Sequence, residues 1–267
     1  MQSYPFSQVN VFSASPLNGN PLAVVHNADN LSEEQMSALA RWTNLSETTF
    51  LLNPTHPDAD YSVRIFTPQG ELPFAGHPTL GSCHAWLLAG GEPINPDQIK
   101  QECGVGLVSI RRDDFRLEFS APPLIRSGPI SGDDLAQIAR ALDLSVSDIA
   151  HHQWVDNGPG WCAVMLDSAE RVLSIKPDWA ALSPFNLGVV GLHYSGGDAT
   201  VEVRAFIGKG GYEDPVTGSL NASLAQWLMA AGLVKSPYIA AQGTVIQRAG
   251  GAFTSVDLQT ISGWVAK

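Results

Sequence analysis

Apolar and polar positions alternate through YPFSQVNVFSASPLNGNPLAVVHN, residues 4–27, break at Pro16-Leu17-Asn18-Gly19-Asn20-Pro21 and resume at LAVV. Period-two alternation interrupted by Pro, Asn and Gly predicts strand, turn, strand. Ser32 with Gln35 three residues on, ahead of Met36, Leu39 and Ala40, has the form of a capping box and predicts a short amphipathic helix ending near Trp42. TTFLLNP and DYSVRIFTP are rich in β-branched and aromatic residues and stop at Pro54 and Pro68, which predicts two more strands. PTLGSCHAWLLAGG, from Pro78, changes the period: proline in a first turn, glycines past the end and almost no charge predict a buried helix, apolar nearly all round. Trp86 and, later, Trp227 are expected in helix cores. SGDDLAQIARALDL and SVSDIAHH carry helix caps, and WCAVMLDS and NLGVVGLHYS have the composition of strands.

Residues 201–232 repeat an earlier pattern, passing from strand through a Gly/Pro turn to a long uncharged helix that ends in glycine. Placed side by side, Arg64 matches Arg204 and Phe66 matches Phe206. His77-Pro78 with Gly81-Ser82 then matches Asp214-Pro215 with Gly218-Ser219, the second copy being three residues shorter between its arginine and its X-Pro step. Two copies about 140 residues apart predict a duplicated domain, each half wrapping strands around a central buried helix.

At 267 residues, two domains of about 130 residues each can bury real cores. Hydrophobic residues at 44% against charged residues at 15%, with 25 Gly and 18 Pro, describe a turn-rich globular chain. Fifteen basic against 26 acidic residues give a net charge of −11, a field that repels nucleic acid and anionic membrane surfaces, so a small anionic substrate needs a local positive pocket. The absence of a bilayer-length apolar run and of signal-peptide features at MQSYPFSQVNVFS leads to the expectation of a cytoplasmic protein. Cys83, Cys103 and Cys162 are odd in number and widely spaced, which favours buried thiols over a disulfide framework or a zinc site.

Candidate chemistry gathers at the two predicted helix starts, where unpaired N–H groups and the positive dipole end favour an anion. Gly76, Gly81 and Ser82 in one copy, and Gly218 and Ser219 in the other, are small enough to let a ligand approach the backbone, or serve turn geometry and helix packing. His77 at the first junction can donate or accept near neutral pH, and the helix end favours its neutral form. Asp214 either faces His77 across the duplication or caps its own helix. Glu47, in TNLSETTFLL, is either a solvated loop acid that caps locally or a partly desolvated carboxylate suited to acid/base work. His151-His152 is expected to be a surface or packing pair, and His84 lacks a nearby acid or thiol to complete a metal set. G-x-S-x-G, P-loop and H-E-x-x-H motifs are absent from the sequence.

At these residues the sequence resembles the phenazine-biosynthesis F protein family, whose wider relatives include diaminopimelate epimerase and proline racemase. The resemblance rests on VNVFSASPLNGNPLAVV, NLSETTFL, RIFTPQGELPFAGHPTLGS, GYEDPVTGSLNASLAQWL and AAQGTVIQRAGG, in that order. It implies an α/β (α+β) fold of two similar domains, each a curved, mostly antiparallel sheet around a central helix, with the active site in the cleft between them. The first domain is expected over 1–119, with a last strand at about 258–267 returning to it, and the second over 120–257. The family's acid/base carboxylate carries over to Glu47, its helpers to His77, Asp214 and Ser219, and its backbone donors to Gly76 and Gly218, with Ser46 also at the substrate. The implied activity is a proton-shifting isomerisation of a small carboxylated molecule, as with a dihydro-hydroxyanthranilate, by a homodimer using no metal or organic cofactor. Epimerases of the wider group place a thiol at each helix junction, which this chain does not, so two-thiol epimerisation is disfavoured. Amino-acid epimerisation with Asp214 as a second acid, and a non-catalytic ligand-binding protein, are the alternatives.

Overall fold

The computed structural model describes residues 3–13, 17–112, 116–120, 123–194, 196–248, 250–255, 260–263 and 265–266, with side chains described as far as residue 250. Residues 14–16, 195, 249, 258, 259, 264 and 267, on which some of the expected features rest, lie outside the described residues. The chain forms two compact units, Met1–Ser120 with Ser262–Lys267, and Ala121–Ile261. Among the described residues, no helix is long and apolar enough to cross a membrane.

In the first unit, β1 (Phe6–Val11) and β2 (Asn20–Val25) pair antiparallel, with Phe6 opposite Val25 and Val11 opposite Asn20. Helix α1 (Glu33–Thr43) follows, opened by the Ser32/Gln35 capping box and closed by Asn44 in a left-handed conformation, φ 53°. Strand β3 (Thr48–Leu52) runs parallel to β2, and β4 (Tyr61–Thr67) antiparallel to β3. The short β5 (Gly70–Leu72) folds back on β4 and leads into α2 (Gly76–Leu88). Strand β6 (Gln98–Cys103) returns parallel to β4, and β7 (Gly106–Arg112) and β8 (Leu117–Ser120) continue antiparallel. The strand Val265–Ala266 pairs antiparallel with β1 at Asn10 and Val11.

Helix α2 packs against β1, β2, β3, β6 and β8, which is why its sequence is uncharged on all sides: strands surround it. Gly81 permits this closeness. A Cβ there would lie 2.5 Å from Leu22 Cδ2 and 2.8 Å from a Val11 methyl. Ser82 is fully buried and donates to Thr49 Oγ1 at 2.8 Å. Gly81 and Ser82 therefore serve helix–sheet packing, the second of the two roles the sequence left open for them.

The second unit starts with α3 (Gly132–Ala141), whose N-cap Ser131 accepts from Asp134 N. SVSDIAHH departs from the predicted helix: Val146–Asp148 is a single 3₁₀ turn, and the histidines begin β9 (His151–Trp154). Ser145 and Asp148 do form a capping box, but the following residues gain more by pairing antiparallel with β10 (Trp161–Met165). Helices α4 (Ala169–Ser174) and α5 (Trp179–Leu182) precede β11 (Asn186–Leu192), parallel to β10. Then come β12 (Val201–Ile207), β13 (Tyr212–Asp214), the central α6 (Gly218–Ala230), β14 (Tyr238–Gln242) parallel to β12, and β15 (Gly250–Ser255). Leu220, Leu224, Trp227 and Leu228 of α6 share a core with Trp161, Val190, Val203 and Ala240.

The strand pairings repeat step for step between the units: antiparallel, parallel, antiparallel, antiparallel, then a parallel return after the central helix. The predicted duplication is visible in its side chains too. Arg64 Nε donates to Glu71 at 2.7 Å and its guanidinium lies 5.1 Å from the Phe66 ring centre. Arg204 Nε donates to Glu213 at 3.1 Å and its guanidinium lies 4.8 Å from the ring centre of Phe206.

The correspondence of the helix starts differs from the one expected. Helices α2 and α6 begin at Gly76 and Gly218, after N-caps Ala75 and Thr217. His77 therefore falls opposite Ser219, while Asp214, the last residue of β13, falls opposite Leu72 of β5. Aligning the two X-Pro steps misplaces them because the prolines do different work: Pro78 sits within the first helical turn, where its missing N–H costs nothing, and Pro215 lies in the turn before the cap.

Candidate active site

In the first unit, Glu47 stands in the loop between α1 and β3, and His77 in the first turn of α2. His77 Nδ1 lies 2.7 Å from Glu47 Oε2, and Nε2 lies 3.1 Å from the carbonyl oxygen of Asn20. The two side chains are 5% and 16% exposed, so the carboxylate keeps a narrow window on solvent while the imidazole is enclosed. Phe12 covers the ring at a centroid distance of 6.2 Å.

This geometry fixes the protons. A carbonyl oxygen only accepts, so Nε2 must carry a hydrogen and donate it to Asn20. Across the 2.7 Å contact to Glu47 one further proton is required, since a carboxylate facing an imidazole lone pair would repel it. That proton resides either on Glu47, which then donates to a neutral imidazole, or on His77, which then donates to a carboxylate. The pair is a one-proton store with an acid end and a base end.

Gly76 precedes His77, and no side chain caps the α2 N-terminus. A Cβ at Gly76 would strike the ring of Phe119, which itself packs edge-on against Phe74 at 5.8 Å. The smallness of Gly76 thus has a packing cause. Ser46 precedes Glu47 and is half-buried.

In the second unit, Asp214 is 9% exposed and accepts from Thr217 Oγ1 at 2.5 Å. It does not cap α6, because Thr217 holds the cap position and gives that helix no side-chain cap bond. Ser219, beside Gly218 in the first turn, is held at two atoms: its Oγ accepts from Trp161 Nε1 at 3.0 Å and its carbonyl from Asn157 Nδ2 at 3.0 Å. An indole N–H only donates, so the hydroxyl hydrogen of Ser219 is directed away from Trp161.

Sequence reasoning names Glu47, His77, Asp214 and Ser219 but misses Asn20, Thr217, Trp161 and Gln242, which hold them. Asn20 acts through its backbone carbonyl, for which side-chain chemistry offers no signal. Gln242 lies in the quoted AAQG segment, the one signal that pointed to it.

Burial pushes the Cys83 and Cys162 thiols up to about 12, and it raises Cys103 as well. His152 Nδ1 accepts from Ile130 N at 3.2 Å. Among the described residues no group of three or more His, Cys, Asp or Glu stands close enough to hold a metal ion. A cavity of about 520 Å³ bordered by Tyr4, Phe6, Leu31 and Leu39 offers neither an acid nor an imidazole.

Residues 9–261 match the phenazine biosynthesis-like protein (PhzC-PhzF) family. The chain belongs to that family. It is similar to "Antisense-enhancing sequence 1" of Schizosaccharomyces pombe, 35% identical over 277 residues, covering 97% of this chain and 93% of that protein. It is also 34% identical to a trans-2,3-dihydro-3-hydroxyanthranilate isomerase of Pseudomonas fluorescens, covering 90% of this chain and 86% of that one. Among solved structures, a phenazine biosynthesis protein of the PhzF family from Enterococcus faecalis superposes with a TM-score of 0.80 at 25% identity, covering 99% and 96% of the two chains. A probable proline racemase from Agrobacterium radiobacter shares the fold, with a TM-score of 0.57 at 14% identity, covering 98% and 90%. The expected family and fold class are thereby established.

Proposed function

We propose that this family member is an isomerase that moves a proton between two carbons of a small carboxylated substrate, with Glu47 as the acid/base. The observation that carries the proposal is the Glu47–His77–Asn20 relay. In the base direction, His77 holds the stored proton, and the ionised Glu47 takes a hydrogen from one carbon as that C–H bond breaks and a Glu47 O–H bond forms. Glu47 then gives the hydrogen to a second carbon, and the double bonds move between. Atoms and electrons balance without oxidation or reduction. A carboxylate 16% exposed beside an imidazole only 5% exposed suits this task, because the proton store stays in place while one oxygen works at the substrate.

In the second unit, Asp214 as acceptor and the Ser219 hydroxyl as donor are suited to hold polar substituents of a substrate. Gly76, Gly218 and Ser46 contribute backbone or hydroxyl contacts. The isomerase name of the Pseudomonas fluorescens relative makes trans-2,3-dihydro-3-hydroxyanthranilate the first compound to try. Amino-acid epimerisation asks for acids on both faces of one carbon. The strand register places Asn186 where Glu47 stands in the first unit, and its amide is tied to Pro159 O at 2.7 Å, so the duplication supplies no second acid at the Glu47 position.

The test is carbon-bound deuterium uptake in D2O, followed by NMR and mass spectrometry, with that compound and a panel of cyclic and acyclic amino acids. Glu47→Gln should lower uptake by about 100- to 10,000-fold, the range of a general acid/base, while leaving the circular dichroism spectrum unchanged. Uptake retained by the variant sinks the assignment. No uptake by the parent protein with any panel member favours a binding protein instead.

A further inference from the structure

We infer that Gln242 is a positioning residue that aims Asp214 through Thr217, an inference that rests on the role proposed for Asp214. Gln242 is 1% exposed and its amide is used at both ends. Its Oε1 accepts from Thr217 N at 3.1 Å and from Asn221 Nδ2 at 2.7 Å; its Nε2 donates to Asp214 O at 3.0 Å and to Thr217 Oγ1 at 2.9 Å. The orientation of the amide is forced, because a backbone N–H must meet the oxygen and a backbone carbonyl must meet the nitrogen.

The consequence runs down the chain of bonds. Thr217 Oγ1 receives a hydrogen from Gln242, so its own hydrogen is directed into Asp214 Oδ2. One oxygen of Asp214 is thereby tied as an acceptor, which orients the carboxylate. Gln242 thus governs both the backbone and the side chain of Asp214.

The first unit supplies the control. The same scaffold there carries Leu72 opposite Asp214 and Ala75 opposite Thr217, and the parallel register of β4 and β6 carries Cys103 to the place of Gln242. That unit folds with the same strand pairing and the same central helix while lacking all three residues. The network accordingly accompanies the carboxylate and is not a requirement of the fold.

The test is a double-mutant cycle on the full chain, with carbon-bound deuterium uptake as readout and kcat and KM measured separately for the best panel substrate. Asp214→Asn and Gln242→Leu should each lower kcat/KM by about tenfold or more, the size of a hydrogen bond to a charged group, and the double variant should lose no more than Asp214→Asn alone. Should Gln242→Leu fail to fold, Thr217→Val replaces it in the same cycle, and Thr217→Ser, which keeps the hydroxyl, should restore the parent value. Multiplying losses in the double variant, or equal activity of Thr217→Val and Thr217→Ser, overturns the role of Gln242 while leaving that of Asp214 standing. Full activity of Asp214→Asn, or no exchange by the parent protein with any panel member, overturns both.

Discussion

His77 has hydrogen-bond partners at both ring nitrogens, and the Asn20 carbonyl, which can only accept, assigns the hydrogen on Nε2, while the proton facing Glu47 belongs to one partner or the other. The same logic at Ser219 gives a prediction. Trp161→Phe removes the indole donor, so the hydroxyl is free to rotate, and KM should rise about threefold to tenfold while kcat changes little, as expected from one neutral hydrogen bond. In a Ser219→Ala background the same substitution should leave KM unmoved; a further rise would assign Trp161 to packing alone. The cysteines give a second test. With Cys83 and Cys162 held near 12, roughly one thiol in ten thousand is ionised at pH 8, so iodoacetamide should label the native protein at Cys103 and reach the other two only after denaturation. Labelling of Cys83 in the folded protein, read by peptide mapping, would contradict the burial described.

One pair of secondary-structure elements, built twice, carries the same ion pair into two environments. Arg64 and Glu71 are 30% and 36% exposed, whereas Arg204 and Glu213 are 3% and 6% exposed, and Arg204 Nη1 also donates to the carbonyls of Val172 and Ile175 at the end of α4. Arg204→Met should therefore cost about 3–5 kcal/mol by urea denaturation, leaving the buried Glu213 carboxylate without its guanidinium partner. Arg64→Met should cost about 1 kcal/mol or less. Glu202 of β12 adds a pH dependence. Burial raises its pKa, against Thr244 at 2.7 Å and His193 at 3.2 Å, so in the range between its unfolded and folded pKa the folded protein binds the extra proton. The stability tied to that proton is present at low pH and is lost as pH rises through the folded pKa, so the stability of Glu202→Gln relative to the parent should increase from acid to neutral pH. Such details lie beyond sequence, yet much of the architecture does not. The Ser32 box announced α1, and the uncharged runs announced both central helices, because each signal is local. Gln98–Cys103 and Gly106–Arg112 gave no comparable warning, since QIKQEC and GLVSIRR mix polar residues into strands whose partners lie far along the chain. The candidate residues divide in the same way: Glu47 and Asp214 stand out in the sequence as acids beside strand and helix ends, while Thr217 and Gln242 become meaningful only when β14 is laid beside β12.

At the level of the whole molecule, the first unit is assembled from both ends of the sequence. Val265–Ala266 pairs with β1 at Asn10 and Val11, and β1 in turn packs on α2, the helix that carries His77. Removing residues 262–267 should raise amide hydrogen exchange in β1 and at the start of α2 while leaving β10–β12 protected; unchanged exchange in β1 would mean that the strand is dispensable. The pairing also sets an order of events during synthesis. A ribosome releases Phe6–Val11 first and Val265–Ala266 more than two hundred residues later, at about 5–20 residues per second. For the ten seconds or more implied by that rate, the nascent unit that holds Glu47 and His77 has an unfilled strand edge, whereas the sheet containing Asp214 and Gln242 is translated without interruption and is ready to close first.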